Sequence, residues 1–446
     1  MEIKRFYDKP LAQASYLIID NNEAAVVDPA RDPQPYLDYL KKKDAKLIAI
    51  FETHPHADFV SSHLELKEKT GARIYINPDV GVDYKFEPLR HNEEVLIGDL
   101  VIKALFTPGH SPDHNSYLLI DSDGKEHAVF TGDSLFIGDV GRPDLREGAG
   151  NIQLSRKELA GMMYDTINNV FKNLNDDVIV YPAHGAGSLC GKNMSDELDS
   201  TIGKQKETNW AFKVEDKDKF IEAFLEGQPF IPMYFPFDVD MNRSGAGSIE
   251  ETLNKIPVVK NTSEIKKDAV LVDVRDEDNF KEGHLKGAIN IQAGEEDKFE
   301  TWLGSIVNPE SPFYLIGDNT DQIEKTKKRV SKIGYEGRLL GTYSINGEKD
   351  VTDKKLDLDE FKNNKEKYTI VDIRNNSETE EGLYFDNAIA IPLPELKDRI
   401  NEIPTDKPIV VHCAGGYRSA IGSSLLQKEI PETTVYDLSD DVEKFK

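Results

Sequence analysis

A stretch of this chain occurs twice. Val270-Leu-Val-Asp273-Val-Arg275, followed by Gly287-Ala-Ile-Asn-Ile291, returns as Thr369-Ile-Val-Asp372-Ile-Arg374, followed by Asn387-Ala-Ile-Ala-Ile391. The Asp-x-Arg elements lie 99 residues apart and the Ala-Ile elements 100. Short apolar runs recurring at one period predict two copies of one small α/β domain, each on a parallel sheet. Residues 249–345 and 351–446 hold these copies, and residues 1–243 are left for a separate, larger domain. A chain of 446 residues is too long for a single core, so this division is expected on size alone.

The N-terminal part alternates strand-like runs, such as Glu23-Ala-Ala-Val-Val-Asp28 and Leu47-Ile-Ala-Ile-Phe51, with polar helical segments, the pattern of a layered α/β domain. Directly after the second run comes Thr53-His-Pro-His-Ala-Asp-Phe59, which supplies His54, His56 and Asp58. Three further apolar runs end at His110, Asp133 and His184, each in a turn of small residues. Four strand ends that all deliver ligand-type side chains predict a metal centre at the sheet edge. His63, His91, His114, His127, His284 and His412 have no partners at ligand spacing and read as ordinary core or surface residues. From Ser195 to Gly227 the pattern turns helical. Pro229 to Pro236 then reads as an extended, proline-punctuated tail, and Asn242-Arg-Ser-Gly-Ala-Gly-Ser248 as the linker after it.

Thr53-His-x-His-x-Asp58, Gly109-His110, Thr131-Gly-Asp133 and His184-Gly together resemble the metallo-β-lactamase superfamily, which implies an αββα sandwich. Hydrolases of that superfamily mostly hold two metals, the second completed by a histidine directly after the motif aspartate. Here that position is Phe59. A phenyl ring has no lone pair to donate, so a second ion is left with Asp58, a shared Asp133 and His184 at best. One metal on His54, His110 and Asp133 is a two-histidine, one-carboxylate set with open positions, which suits Fe(II) and O2 chemistry. His56, Asp58 and His184 then orient ligands or contact substrate. The run from Thr131 to Leu145 and Gly185-Ala-Gly-Ser-Leu-Cys190-Gly-Lys192 are similar to the signature of persulfide dioxygenases. That resemblance implies one Fe(II) per chain, which binds a low-molecular-weight thiol persulfide and O2 and releases sulfite and the thiol. Arg142 and Lys192 are candidate clamps for an anionic substrate. Cys190 reads either as a buried filler or as a thiol that contacts or carries sulfur.

The second copy continues into Ile409-Val-Val-His-Cys413-Ala-Gly-Gly-Tyr-Arg418-Ser419. A cysteine at the base of a Gly-containing turn that opens a helix faces backbone N–H groups and the positive helix end, and Arg418 adds a fixed charge. This loop, with its upstream Asp372-Ile-Arg374, resembles the rhodanese active site, where Cys413 would accept a sulfane sulfur cradled by the amides of Ala414, Gly415, Gly416 and Tyr417. Phosphatases of the Cdc25 type share that fold, but with five residues between cysteine and arginine; here there are four, a tighter ring better suited to one sulfur atom than to a phosphate. The first copy also reads as rhodanese-like, but Gly317 or Asp318 stands where the thiol would be, so it is expected to be catalytically inactive.

Taken whole, the chain resembles the persulfide dioxygenase–rhodanese fusions of the staphylococcal CstB type. The function this implies is oxidation of thiol persulfides (of glutathione, coenzyme A or bacillithiol) to sulfite and on to thiosulfate, a sulfide detoxification. A dimer or tetramer is expected from the resemblance alone. A glyoxalase II-type zinc thioester hydrolase and a sulfur-carrier scaffold are the competing readings. The formal charge of −26 argues against nucleic acid as a ligand. No run approaches the roughly 20 apolar residues of a membrane span, so a cytoplasmic protein without a membrane partner is expected. Two cysteines are too few for a disulfide framework or an all-thiolate metal site.

Overall fold

The computed structural model describes residues 1–145, 154–345 and 349–446. The chain divides into two compact units, the first made of Met1–Glu251 with Ser331–Gly334, the second of Thr252–Val330 with Tyr335–Lys446.

The first unit holds two six-stranded sheets. One runs in chain order through Glu2–Asp8, Gln13–Asp20, Glu23–Val27, Lys46–Phe51, Arg73–Ile76 and Glu87–Pro88. The other orders Ser200–Thr201, Ile179–Pro182, Glu126–Gly132, Asn115–Ile120, Leu100–Phe106 and Glu94–Ile97. Alternation along each strand makes two faces. Ala25, Val27, Ala49 and Phe51 point inward against Ile102, Ala104, Tyr117, Leu119 and Phe130 of the facing sheet. Their neighbours Ala24, Val26 and Ile50 point outward against Tyr36, Leu40 and Leu66 of the helices Gln34–Lys43 and His63–Thr70. On the far side, Leu118, Val129 and Val180 pack under Met163 and Ile167 of the helix Arg156–Asn169. The layers are therefore helix, sheet, sheet, helix: the αββα sandwich.

The second unit contains two parallel sheets. The first copy orders Val258–Val259, Leu339–Ser344, Phe313–Gly317, Val270–Asp273 and Ala288–Asn290; the second orders Ile389–Ala390, Thr369–Asp372, Ile409–His412 and Val435–Asp437. Every pairing within them is parallel. The repeated Asp-x-Arg motif is a buried clip. Arg275 Nη2 donates to Asp273 Oδ2 at 2.7 Å and to the Gly283 carbonyl at 2.9 Å; Arg374 Nη2 does the same to Asp372 Oδ2 at 2.6 Å and to the Gly382 carbonyl at 2.9 Å. Each clip ties a strand end to the segment after the following helix.

One expectation is corrected. Only the last two residues of the expected tail, Phe235 and Pro236, and the first three of the linker belong to a helix, Phe235–Ser244, with Pro236 in its first turn, where a proline costs no hydrogen bond. Phe235, Asp238, Val239 and Asn242 line its buried side, a helical spacing that the surrounding prolines mask. No helix among the described residues is long and apolar enough to cross a membrane.

Removing one partner of a buried ion pair leaves an uncompensated charge, at a cost of about 3–5 kcal/mol. Arg374→Met is therefore expected to lower the stability of the second unit by that amount in urea unfolding followed by circular dichroism. An unchanged midpoint contradicts a structural role for the clip.

Candidate active sites

The metal-ligand candidates meet where the strands of the sandwich end. His54 follows Lys46–Phe51, His110 follows Leu100–Phe106, Asp133 follows Glu126–Gly132 and His184 follows Ile179–Pro182. His54, His110 and Asp133 form one buried group whose ligand atoms all lie within 4.8 Å of one another. Asp133 Oδ2 is 3.6 Å from His110 Nε2 and 4.0 Å from His54 Nε2, spacings that one ion bonded to all three satisfies.

Hydrogen bonds behind the rings select the right tautomers. The Thr53 hydroxyl donates to Asp28 Oδ2 at 2.9 Å, so its oxygen accepts from His54 Nδ1 at 3.0 Å. His110 Nδ1 donates to the Arg142 carbonyl at 2.9 Å. Both rings are thereby held with Nε2 as the lone-pair nitrogen, facing Asp133. Burial alone would raise the Asp133 carboxyl; the imidazoles of His184, His110 and His56 instead hold it well below the usual carboxylate range. Its Oδ2 is buried without a hydrogen-bond partner, as a metal-ligating oxygen is. The residues present thus fit one ion.

The place of a second ion is taken differently. His184 donates from Nδ1 to Asp133 Oδ1 at 2.7 Å, and its Nε2 lies 2.8 Å from Asp58 Oδ2. Burial works against protonation, but the two carboxylates overcome it and push His184 well above its ordinary range. An imidazolium therefore balances Asp58 and Asp133. Phe59 is buried and its ring lies tilted against that of His56, with centroids 4.2 Å apart. His56 Nε2 is 3.1 Å from Asp28 Oδ1, within a separate buried group of Asp28, Glu52 and His56. Cys190 joins Asp58 and His184 in a third buried group; burial, then the Asp58 and Asp133 carboxylates, push its thiol far up.

Two expected substrate clamps are corrected. Arg142 is buried, and its guanidinium is spent on both oxygens of Asp144, at 2.6 and 2.8 Å, and on the carbonyls of Leu189, Pro229 and Phe230. Its contribution to the site is its own carbonyl on His110. Lys192 Nζ donates to the Ala223 and Glu226 carbonyls, at 2.9 and 2.7 Å, closing the end of the helix Lys217–Leu225. A cation near a metal ligand reads as a clamp until its partners are known.

Two supporting residues had no signal in the sequence. Asn242, from the expected linker, donates to the His56 and Phe59 carbonyls, both at 2.8 Å, and accepts from the Ser61 amide, pinning the motif loop from the far helix. His114, read as an ordinary histidine, accepts from the Asp133 amide at 3.2 Å.

In the second unit, Cys413 is buried at the end of Ile409–His412, and the helix Tyr417–Glu429 begins four residues later. The Gly416 amide, at φ 98°, donates to Cys413 Sγ at 3.2 Å. Arg418 interacts with Cys413 and is ion-paired to Glu378 at 2.5 and 2.8 Å. Lys446 Nζ donates to the Ala414 carbonyl at 2.9 Å; Gly415 is exposed. Strand register resolves the fate of the thiol in the first copy. Asp372 is opposite His412 and Asp273 opposite Ile316, so the residue matching Cys413 is Gly317.

The chain matches the model of the metallo-β-lactamase superfamily over residues 8–184 and that of the rhodanese-like domain over residues 258–341 and 357–446. It is 31% identical over 231 residues to a hydroxyacylglutathione hydrolase of Dictyostelium discoideum, covering 49% of this chain and 76% of that one. It is 29% identical over 168 residues to a probable metallo-hydrolase of Bacillus subtilis, covering 33% and 78%. The crystal structure of a metallo-β-lactamase from Staphylococcus aureus subsp. aureus COL superimposes with a TM-score of 0.68 at 30% identity, over 77% of this chain and 98% of that one. The chain belongs to the metallo-β-lactamase superfamily and fuses that domain to rhodanese-like domains.

Two substitutions probe the metal centre. A Cβ on Gly141 would overlap the Asp133 carbonyl oxygen and crowd His110 Nδ1 at 3.0 Å, so Gly141→Ala is expected to weaken metal binding about 10–100-fold in a competition titration. Phe59→His restores a donor beside Asp58 and His184, and should raise the Co(II) bound per chain from about one towards two; no rise removes Phe59 as the reason for a single ion.

Proposed function

We propose that this chain is a non-haem Fe(II) persulfide dioxygenase coupled to a sulfurtransferase. One observation carries the reading: a His54, His110 and Asp133 donor set beside Phe59 shares its chain with a Cys413 loop. Held there, Fe(II) would supply open positions for a soft persulfide sulfur and for O2, and the electrons that couple them. The chain's own part is positional. Thr53 and the Arg142 carbonyl keep both imidazoles as Nε2 donors, while the buried rings of Phe59 and Phe136 keep the neighbourhood dry. One persulfide, one O2 and one water give one thiol, one sulfite and two protons.

At Cys413 the sulfur moves without net oxidation. Its thiol attacks the outer sulfur of a second persulfide, so one S–S bond forms as the donor's breaks and the thiol leaves. Sulfite then takes that outer sulfur and Cys413 departs as the thiol. Together, two persulfides, one O2 and one water yield two thiols, one thiosulfate and two protons. Tethering favours capture of sulfite as it forms. Glutathione, coenzyme A and bacillithiol are the candidate carriers, and removal of sulfide-derived sulfur in the cytoplasm the process served.

A second reading rests on the likeness to hydroxyacylglutathione hydrolases: zinc-activated water cleaving a thioester. It requires two metals and no O2, and Phe59 with the Cys413 loop weighs against it.

Product analysis tests the coupling. Wild-type protein given glutathione persulfide in air should release thiosulfate, whereas Cys413→Ser should consume O2 at an unchanged rate and accumulate sulfite. Sulfite as the wild-type end product removes the coupling claim.

A further inference from the structure

The loop that carries Cys413 is gripped by the copy that lost its thiol. Three contacts from the first copy reach either the far half of this loop, at Tyr417, or the segment beside it, at Asp437 and Ser439. The Tyr417 hydroxyl donates to the Gln292 carbonyl at 2.9 Å, and the Gln292 side chain in turn accepts from the Glu277 amide at 3.2 Å. Glu277 Oε2 accepts from the Ser439 hydroxyl at 2.6 Å. Lys281 Nζ is ion-paired to Asp437 Oδ2 at 2.7 Å, and to Glu277. Asp437 Oδ1 accepts from the Ser439 amide at 2.9 Å, and the Ser419 hydroxyl donates to the Gly416 carbonyl at 2.8 Å. Space around Gly416 is correspondingly tight: a Cβ there would stand 3.2 Å from the Ser439 hydroxyl and 3.3 Å from Glu277 Oε1. Behind the loop, the Asn290 amide of the first copy's edge strand donates to the Ser424 hydroxyl at 2.9 Å, fixing the helix that the loop opens.

Apart from the Asn290 contact, which ends on Ser424 of the helix, these contacts end on the 437–439 segment or on residues 416–419 beside it. That stretch supplies the Gly416 amide to Cys413 Sγ and carries Arg418. A gap of one ångström in such an arrangement is enough to lose much of its benefit. From this we infer that Glu277, Lys281 and Gln292 of the inactive copy are positioning residues for sulfur transfer at Cys413, holding the Gly416 amide and Arg418 where the sulfane sulfur sits. The first copy has kept the fold while losing the thiol because its surface is part of the second copy's site. The inference rests on the reading of Cys413 as the sulfur-accepting thiol.

An anaerobic assay isolates the step: glutathione persulfide and added sulfite, with thiosulfate as product and the metal domain silent for want of O2. Lys281→Met, Glu277→Gln and Tyr417→Phe are each expected to lower kcat about 10–100-fold with the KM for sulfite within about twofold. Lys281→Arg, which keeps the ion pair to Asp437, should recover most of the rate. O2 consumption of Lys281→Met and Glu277→Gln in air should equal that of wild type, which separates lost positioning from general damage. Should Lys281→Met not fold, the other two decide, Tyr417→Phe removing a single hydroxyl. Folded Glu277→Gln and Tyr417→Phe proteins that transfer sulfur at the wild-type kcat overturn the inference. Wild-type protein that forms no thiosulfate overturns instead the assignment of Cys413, and the inference with it.

Discussion

A single buried carboxylate organises the first unit. Asp133 presents one oxygen to His184 and the other towards His54 and His110, and it does so at the end of a central strand, away from water. A bare charge in such a place is costly, and it persists only when matched by opposite charge. Much of the local structure serves that match. Thr53 and the Arg142 carbonyl fix ring tautomers, His114 steadies the Asp133 amide, and Asn242 ties down the loop that bears His56 and Asp58.

The two carboxylates of the centre are balanced by different means. Asp133 faces the group fit for one ion, whereas Asp58 is answered by His184, with Phe59 closing the position from which a further imidazole would reach. In the function we propose, a centre with one ion would leave coordination positions for two reactants rather than for a bridging water, which would separate oxidative from hydrolytic use of one fold. In the second unit the same economy applies to the two copies. Both keep the Asp-x-Arg clip, and only one keeps the thiol.

How much of this could be read from the residues depends on distance along the chain. Strand ends and ligand types are written locally, in apolar alternation followed by histidine or aspartate, so the sandwich, the two parallel sheets and the cluster at their edges were legible. Phe59 was legible as well, being a departure inside a short motif. Asn242 was not, since it acts across more than 180 positions from a segment whose prolines and glycines suggest a linker. Arg142 misled for a related reason: its partners come from the backbone of residues 189, 229 and 230, which no side-chain pattern announces. Whether Gly317 or Asp318 replaced the thiol needed strand register, which pairing alone determines.

The proposed lone, oxygen-reactive ion of the first unit depends most on these details. Protein purified without air, analysed for metal content and then mixed with glutathione persulfide in an oxygen electrode, tests it directly. About one iron per chain and O2 consumed on mixing are expected; two zinc ions per chain and no uptake of O2 would contradict a lone, oxygen-reactive ion.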